Sequence, residues 1–181
     1  MREVEIAGLA FEAATGAPLV VLRETTEPRR VLPIFVGGTE AAAIGLALTG
    51  QTTPRPLTYD LMATLVQSLD AHVDRVEVTE VRDGAFLAEL SVSGPTGVRR
   101  LDTRPSDAIA LALRVQAPLF VSDAVLDQAG AVLPDTAEPL DVRAIDEQVA
   151  AFRSQLDTLS PTAFGDDTGP GTNGDADDVG P

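Results

Sequence analysis

The chain of 181 residues has no cysteine, no lysine and no tryptophan, and it has one histidine. Without cysteine, disulfides and thiolate chemistry are excluded. The single histidine, His72, lacks a second histidine with which to form a zinc-binding pair. No apolar run is long enough to span a bilayer, and the first residues alternate like a strand and do not resemble a signal peptide. We therefore expect a cytoplasmic protein with no place in a membrane.

The negative charge is unevenly distributed along the chain. Residues 1–122 contain 15 acidic residues and 11 arginines, whereas residues 123–181 contain 13 acidic residues and two arginines, within a net charge of −15. An acidic surface repels phosphate backbones, which proteins normally bind through clustered basic residues. The composition therefore counts against a general nucleic-acid-binding protein, although it leaves room for a local pocket lined by arginine.

The hydrophobic pattern predicts an α+β fold that contains an internal duplication. Three strands and an Ala/Leu-rich helix occur in each half, and residues 44–48 (IGLAL) align with residues 109–113 (IALAL). We interpret the halves as β-β-β-α-α units of about 65 residues that form a mainly antiparallel sheet with buried helices. Chance similarity between Ala/Leu-rich helices is the alternative interpretation.

Local signals predict where several helices begin and which sides they bury. Pro105 suits a first helical position, and Thr58 and Ser122 suit N-caps. In the helix that follows Thr58, the spacing of Leu61, Leu65 and Leu69 predicts a core-facing stripe.

The chain divides into three predicted parts: a domain over residues 1–134, a linker and C-terminal helix over residues 135–160, and a disordered acidic tail over residues 161–181. The C-terminal helix is amphipathic. Its apolar stripe packs either on the domain or on a second subunit, and it consists of Ile145, Val149, Phe152, Leu156 and Leu159.

Polar residues at the starts of the predicted helices form the one constellation that suggests a site. The first half contributes Glu40, Arg55, Thr58, Tyr59 and Asp60, and the second contributes Asp102, Arg104, Ser106 and Asp107. If the halves pack about a pseudo-two-fold axis, both groups face one cleft. Carboxylates gathered in this way could bind Mg²⁺ or Mn²⁺, which would activate water for phosphodiester hydrolysis. The alternative is structural, with the acids capping helices and Arg104 pairing with Asp102 or Asp107. No phosphate-binding loop or dinucleotide motif indicates an organic cofactor.

Several of these stretches resemble one known family. They are Leu32-Pro33-Ile34 with Glu40-Ala41-x-Ala43-Ile44, Arg55-Pro56-Leu57-Thr58-Tyr59-Asp60-Leu61, Asp83-Gly84-Ala85-Phe86-x-Ala88, and Arg104-Pro105-Ser106-Asp107-Ala108-Ile109-Ala110. In order and spacing, they are similar to the bifunctional nuclease (BFN) domain family over roughly residues 1–134. Residues 145–164 resemble the C-terminal extension of actinobacterial members.

The resemblance implies an α+β domain that is often a homodimer, and a nuclease acting on RNA and DNA. On this hypothesis Glu40, Asp60, Asp102 and Asp107 are the metal-binding or catalytic carboxylates, with Glu40, Asp102 and Asp107 as the metal ligands. Tyr59 is a further candidate catalytic residue. The substrate-binding residues are Arg55, Arg104, Ser106 and Thr58.

The chain departs from the family at Tyr59, where members usually have histidine. A phenol titrates near pH 10, so Tyr59 cannot replace a histidine base or metal ligand at neutral pH, but it could replace a hydrogen-bond donor. The second hypothesis is therefore a non-catalytic binding or regulatory module that uses the same cleft for an anionic ligand or a protein partner. The sequence gives neither the substrate nor the metal.

Overall fold

Strands and helices follow the predicted order through the part of the chain that the computed structural model describes, residues 1–132. The predicted C-terminal helix and acidic tail lie outside these described residues. The elements, in chain order, are β1 (Arg2–Phe11), β2 (Pro18–Glu24), β3 (Val31–Phe35), α1 (Gly38–Leu48), α2 (Thr58–Ser68), β4 (His72–Arg82), β5 (Ala85–Gly94), β6 (Gly97–Thr103), α3 (Pro105–Val115), β7 (Leu119–Val121) and α4 (Asp123–Ala129).

The seven strands form one sheet in the order β3-β2-β1-β7-β4-β5-β6. Every neighbouring pair is antiparallel except β4 and β7, which are parallel. The α+β class and the mainly antiparallel sheet are therefore confirmed. Each half of the chain contributes a three-stranded meander, but β7 separates α3 from α4, so the second half is not a plain β-β-β-α-α unit. The duplication itself stays a prediction.

Helix α3 is the most buried helix that the structure describes. Its apolar residues from Ala108 to Ala112 are at most 2 % exposed, as expected of a helix without a polar face. It packs against α1 and α2 on one side and against β4 and β5 on the other. Pro105 opens it, with Arg104 as the N-cap residue. Because α3 is central, the side chains at its start lie within reach of α1 and α2.

Helix α2 corrects two predictions. Its N-cap residue is Leu57, so Thr58 is the first helical residue, and the Asp60 carboxylate accepts the Leu57 N–H at 2.8 Å. The predicted core stripe was also wrong, because Leu61, Leu65 and Leu69 are 54 %, 51 % and 69 % exposed. The helix packs instead through Tyr59, Met62, Ala63 and Val66.

The reason for the second error is that α2 has two apolar faces. At 100° per residue, the three leucines are centred about 120° around the helix from the face that packs on the domain. Four-residue spacing identifies a stripe, but it does not identify which of two stripes is buried. The exposed stripe of Leu61, Leu65 and Leu69 is called the leucine face below.

A buried ion pair links the first meander to the end of the described chain. The Glu24 side chain is fully buried, and its carboxylate accepts hydrogen bonds from the backbone N–H, Nε and Nη2 of Arg30. Arg30 also donates to Asp127 of α4 at 2.5 Å. These bonds hold the pKa of Glu24 below its ordinary value, and the Arg30 side-chain hydrogen bond makes the largest contribution.

Candidate functional site

The first turns of α1, α2 and α3 meet at one place. Glu40 is the third residue of α1, Tyr59 the second of α2 and Asp107 the third of α3, while Arg104 precedes α3 as its N-cap residue. These four residues are called the helix-entry cluster. Two come from the first half of the chain and two from the second, so the structure brings together members of both groups of predicted site residues.

Arg104 connects two carboxylates in the cluster. Its guanidinium donates to Asp107 from Nε at 2.7 Å and from Nη2 at 3.0 Å, and Nη2 also donates to Glu40 at 2.8 Å. The pairing with Asp107 agrees with the structural alternative. The second carboxylate that Arg104 binds is Glu40 and not Asp102, the other predicted partner. The Arg104 side chain remains 67 % exposed, so its outer surface is accessible to a ligand.

Tyr59 completes the cluster from within the domain. Only 8 % of the residue is exposed, and its hydroxyl donates to Asp107 Oδ1 at 2.6 Å. Burial and the hydrogen bond to Asp107 raise the pKa of Tyr59, so the phenol stays protonated at neutral pH. Tyr59 is therefore a hydrogen-bond donor here and has no capacity to act as a base.

The Asp107 carboxylate is ionised and accepts hydrogen bonds from both Arg104 and Tyr59. Burial alone would raise the pKa of Asp107, but the hydrogen bonds from Arg104 and Tyr59 outweigh burial and lower it. The pKa of Arg104 is raised, first by its hydrogen bonds to Asp107 and then by its hydrogen bond to Glu40. As it stands, Asp107 is a weak base, because accepting a proton would cost it two favourable interactions.

Asp60 belongs to a neighbouring network and not to the cluster itself. Its carboxylate accepts from Arg114 Nε at 2.5 Å, and Arg114 also donates to the backbone carbonyls of Ala110 and Ala43. The Arg114 guanidinium carbon lies 5.4 Å from the centre of the Tyr59 ring. Burial would raise the pKa of Asp60, but the Leu57 N–H and Arg114 together lower it. Arg114 therefore connects α1, α2 and α3 behind the cluster.

Sequence reasoning missed Arg114, although a signal was present. It is the one charged residue that follows the apolar run of α3, and a charge at that position needs a partner when the helix is buried. Arg114 is 10 % exposed as a side chain, and Asp60 supplies the partner.

The other predicted site residues lie apart from the cluster or at its edge. Asp102 is exposed at the end of β6 and lines an open groove beside Arg104 and Asp107, together with Phe86, Leu87 and Thr103. Ser106 is buried in the first turn of α3, at 7 % exposure. Thr58 and Arg55 are exposed, and within residues 1–132 the Arg55 guanidinium has no hydrogen-bond or ion-pair partner.

The carboxylates do not form a ready metal site in this arrangement. Within residues 1–132, no three His, Asp or Glu side chains are placed so that they could hold a metal ion. Arg104 lies between Glu40 and Asp107 and supplies the positive charge that a cation would bring. The expected Mg²⁺ or Mn²⁺ therefore remains a prediction.

Comparison with known proteins gives matches of two kinds. Residues 20–134 match the family described as the Bifunctional nuclease domain. An uncharacterized protein of Mycobacterium tuberculosis is 38 % identical over 165 residues, which is 91 % of this chain and 98 % of that protein. A match of that length necessarily includes residues 17–165, and so it extends past the end of the family match.

The second kind of match is to plant proteins. Bifunctional nuclease 1 of Arabidopsis thaliana is 30 % identical over 108 residues, 58 % of this chain and 33 % of the plant protein. Bifunctional nuclease 2 of Oryza sativa subsp. japonica is 29 % identical over 107 residues, with the same coverage. The chain thus spans about a third of the length of these plant relatives. Separately, none of the helices within residues 1–132 has the length and apolar character needed to cross a membrane.

Proposed function

The chain belongs to the bifunctional nuclease domain family, and we propose that it hydrolyses phosphodiester bonds of single-stranded RNA and DNA at the helix-entry cluster. The observation that carries the proposal is Arg104, which is exposed at the edge of an open groove and is held by carboxylates in the first turns of α1 and α3. The N–H groups at helix starts and a guanidinium both favour phosphate oxygens.

The geometry suggests how substrate binding would change Asp107. Phosphate oxygens that accept N–H groups of Arg104 compete with the carboxylate for the same donors. When Asp107 loses part of its Arg104 pairing, its pKa rises, because that pairing is one of the interactions that lower it. The carboxylate then becomes a better base for a water molecule in the groove, while Tyr59 keeps it oriented.

In the reaction that follows, water attacks phosphorus and gives its proton to Asp107. The bond from phosphorus to one ester oxygen breaks, and that oxygen takes a proton from solvent. Arg104 stabilises the charge that develops on the phosphate oxygens. The products are a phosphate monoester and a free hydroxyl. A requirement for metal ions is tested by cleavage assays with Mg²⁺, with Mn²⁺ and with EDTA.

The second candidate function is a non-catalytic module that binds an anionic ligand in the same groove. The observation that favours it is that the carboxylates of Glu40, Asp60 and Asp107 are each paired with an arginine. Paired carboxylates are stable as they are, and they need no role in catalysis.

Cleavage assays on the full chain distinguish the two functions. We expect labelled single-stranded RNA and DNA to be cut, and Asp107→Asn to lower the rate at least 100-fold while the protein remains folded. The assay is run with Mg²⁺, with Mn²⁺ and with EDTA. Cleavage that persists in EDTA supports Asp107 as the base that activates water. Cleavage that requires a metal ion instead assigns the carboxylates to the coordination of that ion.

Three further outcomes decide the remaining cases. Oligonucleotide binding without cleavage, lost in Arg104→Ala, supports the binding module. Cleavage that appears only in Tyr59→His identifies a family enzyme in which the usual histidine has been replaced. If no variant binds or cleaves the oligonucleotides, the proposed nuclease is contradicted. The homodimer and the cytoplasmic location remain predictions, and sedimentation of the purified chain tests the first.

A further inference from the structure

The leucine face of α2 lacks a partner within the described residues. More than half of each of its three residues is accessible to solvent. The residues lie four apart, so their side chains are neighbours on one side of the helix and form a continuous apolar strip. On the opposite side, α2 is already packed against α3 and β4, so the exposure does not result from a loosely attached helix.

The chain itself contains a segment whose pattern fits this strip. Residues 145–159 carry Ile145, Val149, Phe152, Leu156 and Leu159, which fall within an arc of about 80° if the segment is helical. This segment lies outside the described residues. It also falls within the span shared with the Mycobacterium tuberculosis relative, whereas the family match ends at residue 134.

The connection is long enough to bring the two together. The described chain ends beside β3, where Ala131 forms a bridge with Val31. From Val132 to Ile145 an extended chain reaches about 40 Å. A domain of this size has a radius of gyration of about 14 Å. The segment can therefore reach α2 without disturbing the sheet.

A second copy of the chain fits the leucine face less well. An 11-residue helix is about 16 Å long and about 10 Å wide, so one face offers roughly 160 Å² in projection. A stable interface between separate chains normally buries about 800 Å² on each partner. A tethered segment needs much less area, because the tether keeps it at a high effective concentration.

We propose that residues 145–159 of the same chain cover the leucine face of α2, with their apolar stripe against Leu61, Leu65 and Leu69. The C-terminal extension would then be a part of the fold that shields an apolar surface from solvent.

Cross-linking in the full chain tests the proposal, because the absence of cysteine makes introduced thiols unique. One variant carries Ser68→Cys and Gln148→Cys, each beside an apolar stripe. The control carries Thr96→Cys and Gln148→Cys, with Thr96 in the turn between β5 and β6. We expect a short bismaleimide to link positions 68 and 148 within one chain at least tenfold faster than positions 96 and 148.

Adding Leu65→Ser and Leu69→Ser to the 68/148 variant should reduce its rate to that of the control. Both leucines are exposed, so the domain is expected to remain folded, and thermal melting checks this. Equal rates for the two pairs overturn the proposal. So does linkage only between chains, obtained by mixing the two single-cysteine variants, because a second copy would then cover the face.

Discussion

The Tyr59 hydroxyl donates a 2.6 Å hydrogen bond to Asp107 and so joins the first turn of α2 to the first turn of α3. The bond crosses between the two halves of the chain. It also favours the protonated phenol and the ionised carboxylate, acting together with burial on Tyr59 and with Arg104 on Asp107.

Replacing Tyr59 with phenylalanine removes the hydrogen bond and keeps the ring. We expect the free energy of unfolding to fall by about 1.5–3 kcal/mol, the range for a hydrogen bond to a charged group. We also expect the pKa of Asp107 to rise, because one of the groups that stabilise its ionised form is lost. Urea denaturation measures the first effect and NMR titration the second. An unchanged Asp107 pKa would contradict the assigned contact.

Arg104→Ala tests the phosphate contact separately from stability. We expect the affinity for a single-stranded oligonucleotide to fall about tenfold, and the slope of log K against log salt to become shallower by about 0.7, the value for one lost phosphate contact on a single strand. Arg23→Ala is the matched control, since the Arg23 side chain on β2 is 45 % exposed and pairs with Glu5 at 2.6 Å. Similar losses in both variants would argue against a specific site at Arg104.

Arg114→Met tests the network behind the cluster. The methionine keeps much of the aliphatic stem but leaves Asp60 without its ion-pair partner and removes two hydrogen bonds to backbone carbonyls. We expect a loss of about 2–3 kcal/mol, somewhat less than for a fully buried pair, because Asp60 is 37 % exposed. Equilibrium unfolding measures it. Arg100→Met, at an exposed residue paired with Glu89 at 3.5 Å, should change stability little.

Glu24→Gln tests the buried ion pair and its dependence on pH. At neutral pH we expect a loss of about 3 kcal/mol, because a buried charged partner is left incompletely paired. The folded-state pKa of Glu24 lies below the ordinary 4.5. Its stabilisation is therefore complete above about pH 4.5 and disappears as the pH falls through the lowered pKa.

The stability difference between the wild type and Glu24→Gln should consequently narrow below pH 4.5. Thermal melting across pH measures this narrowing. Glu5→Gln is the control, since Glu5 is 51 % exposed and pairs with Arg23 on the surface. A constant difference down to acidic pH would show that Glu24 does not owe its effect to its charge.

The sequence predicted features that depend on local chemistry. Pro105, for example, located the start of α3. Ser122 caps α4 as expected, with its hydroxyl accepting the Val125 N–H. These signals lie within a few residues of the structure they determine, so no knowledge of the remaining chain is needed to read them.

Features that depend on tertiary packing were harder to predict from the sequence. The choice between the two apolar faces of α2 depends on where α3 and β4 lie, which the spacing of Leu61 and Leu65 does not reveal. Asp107, three residues away, was one of the two partners predicted for Arg104, but the bond from Arg104 to Glu40 spans 64 residues. Thr58 was a reasonable N-cap by residue type, yet the N-cap residue is Leu57, one position earlier, and the Asp60 carboxylate accepts the Leu57 N–H.

The short strand β7 has a consequence for the order in which this protein is assembled. It lies between β1 and β4, and its three residues pair with both. Each meander consists of contacts between strands that are neighbours in sequence, so either can form as soon as it leaves the ribosome. The sheet that unites them has to wait for Val121, which pairs with Arg2. Late arrival of a central strand predicts that nascent chains ending before residue 119 hold two meanders with unpaired edges, a state prone to association with other chains.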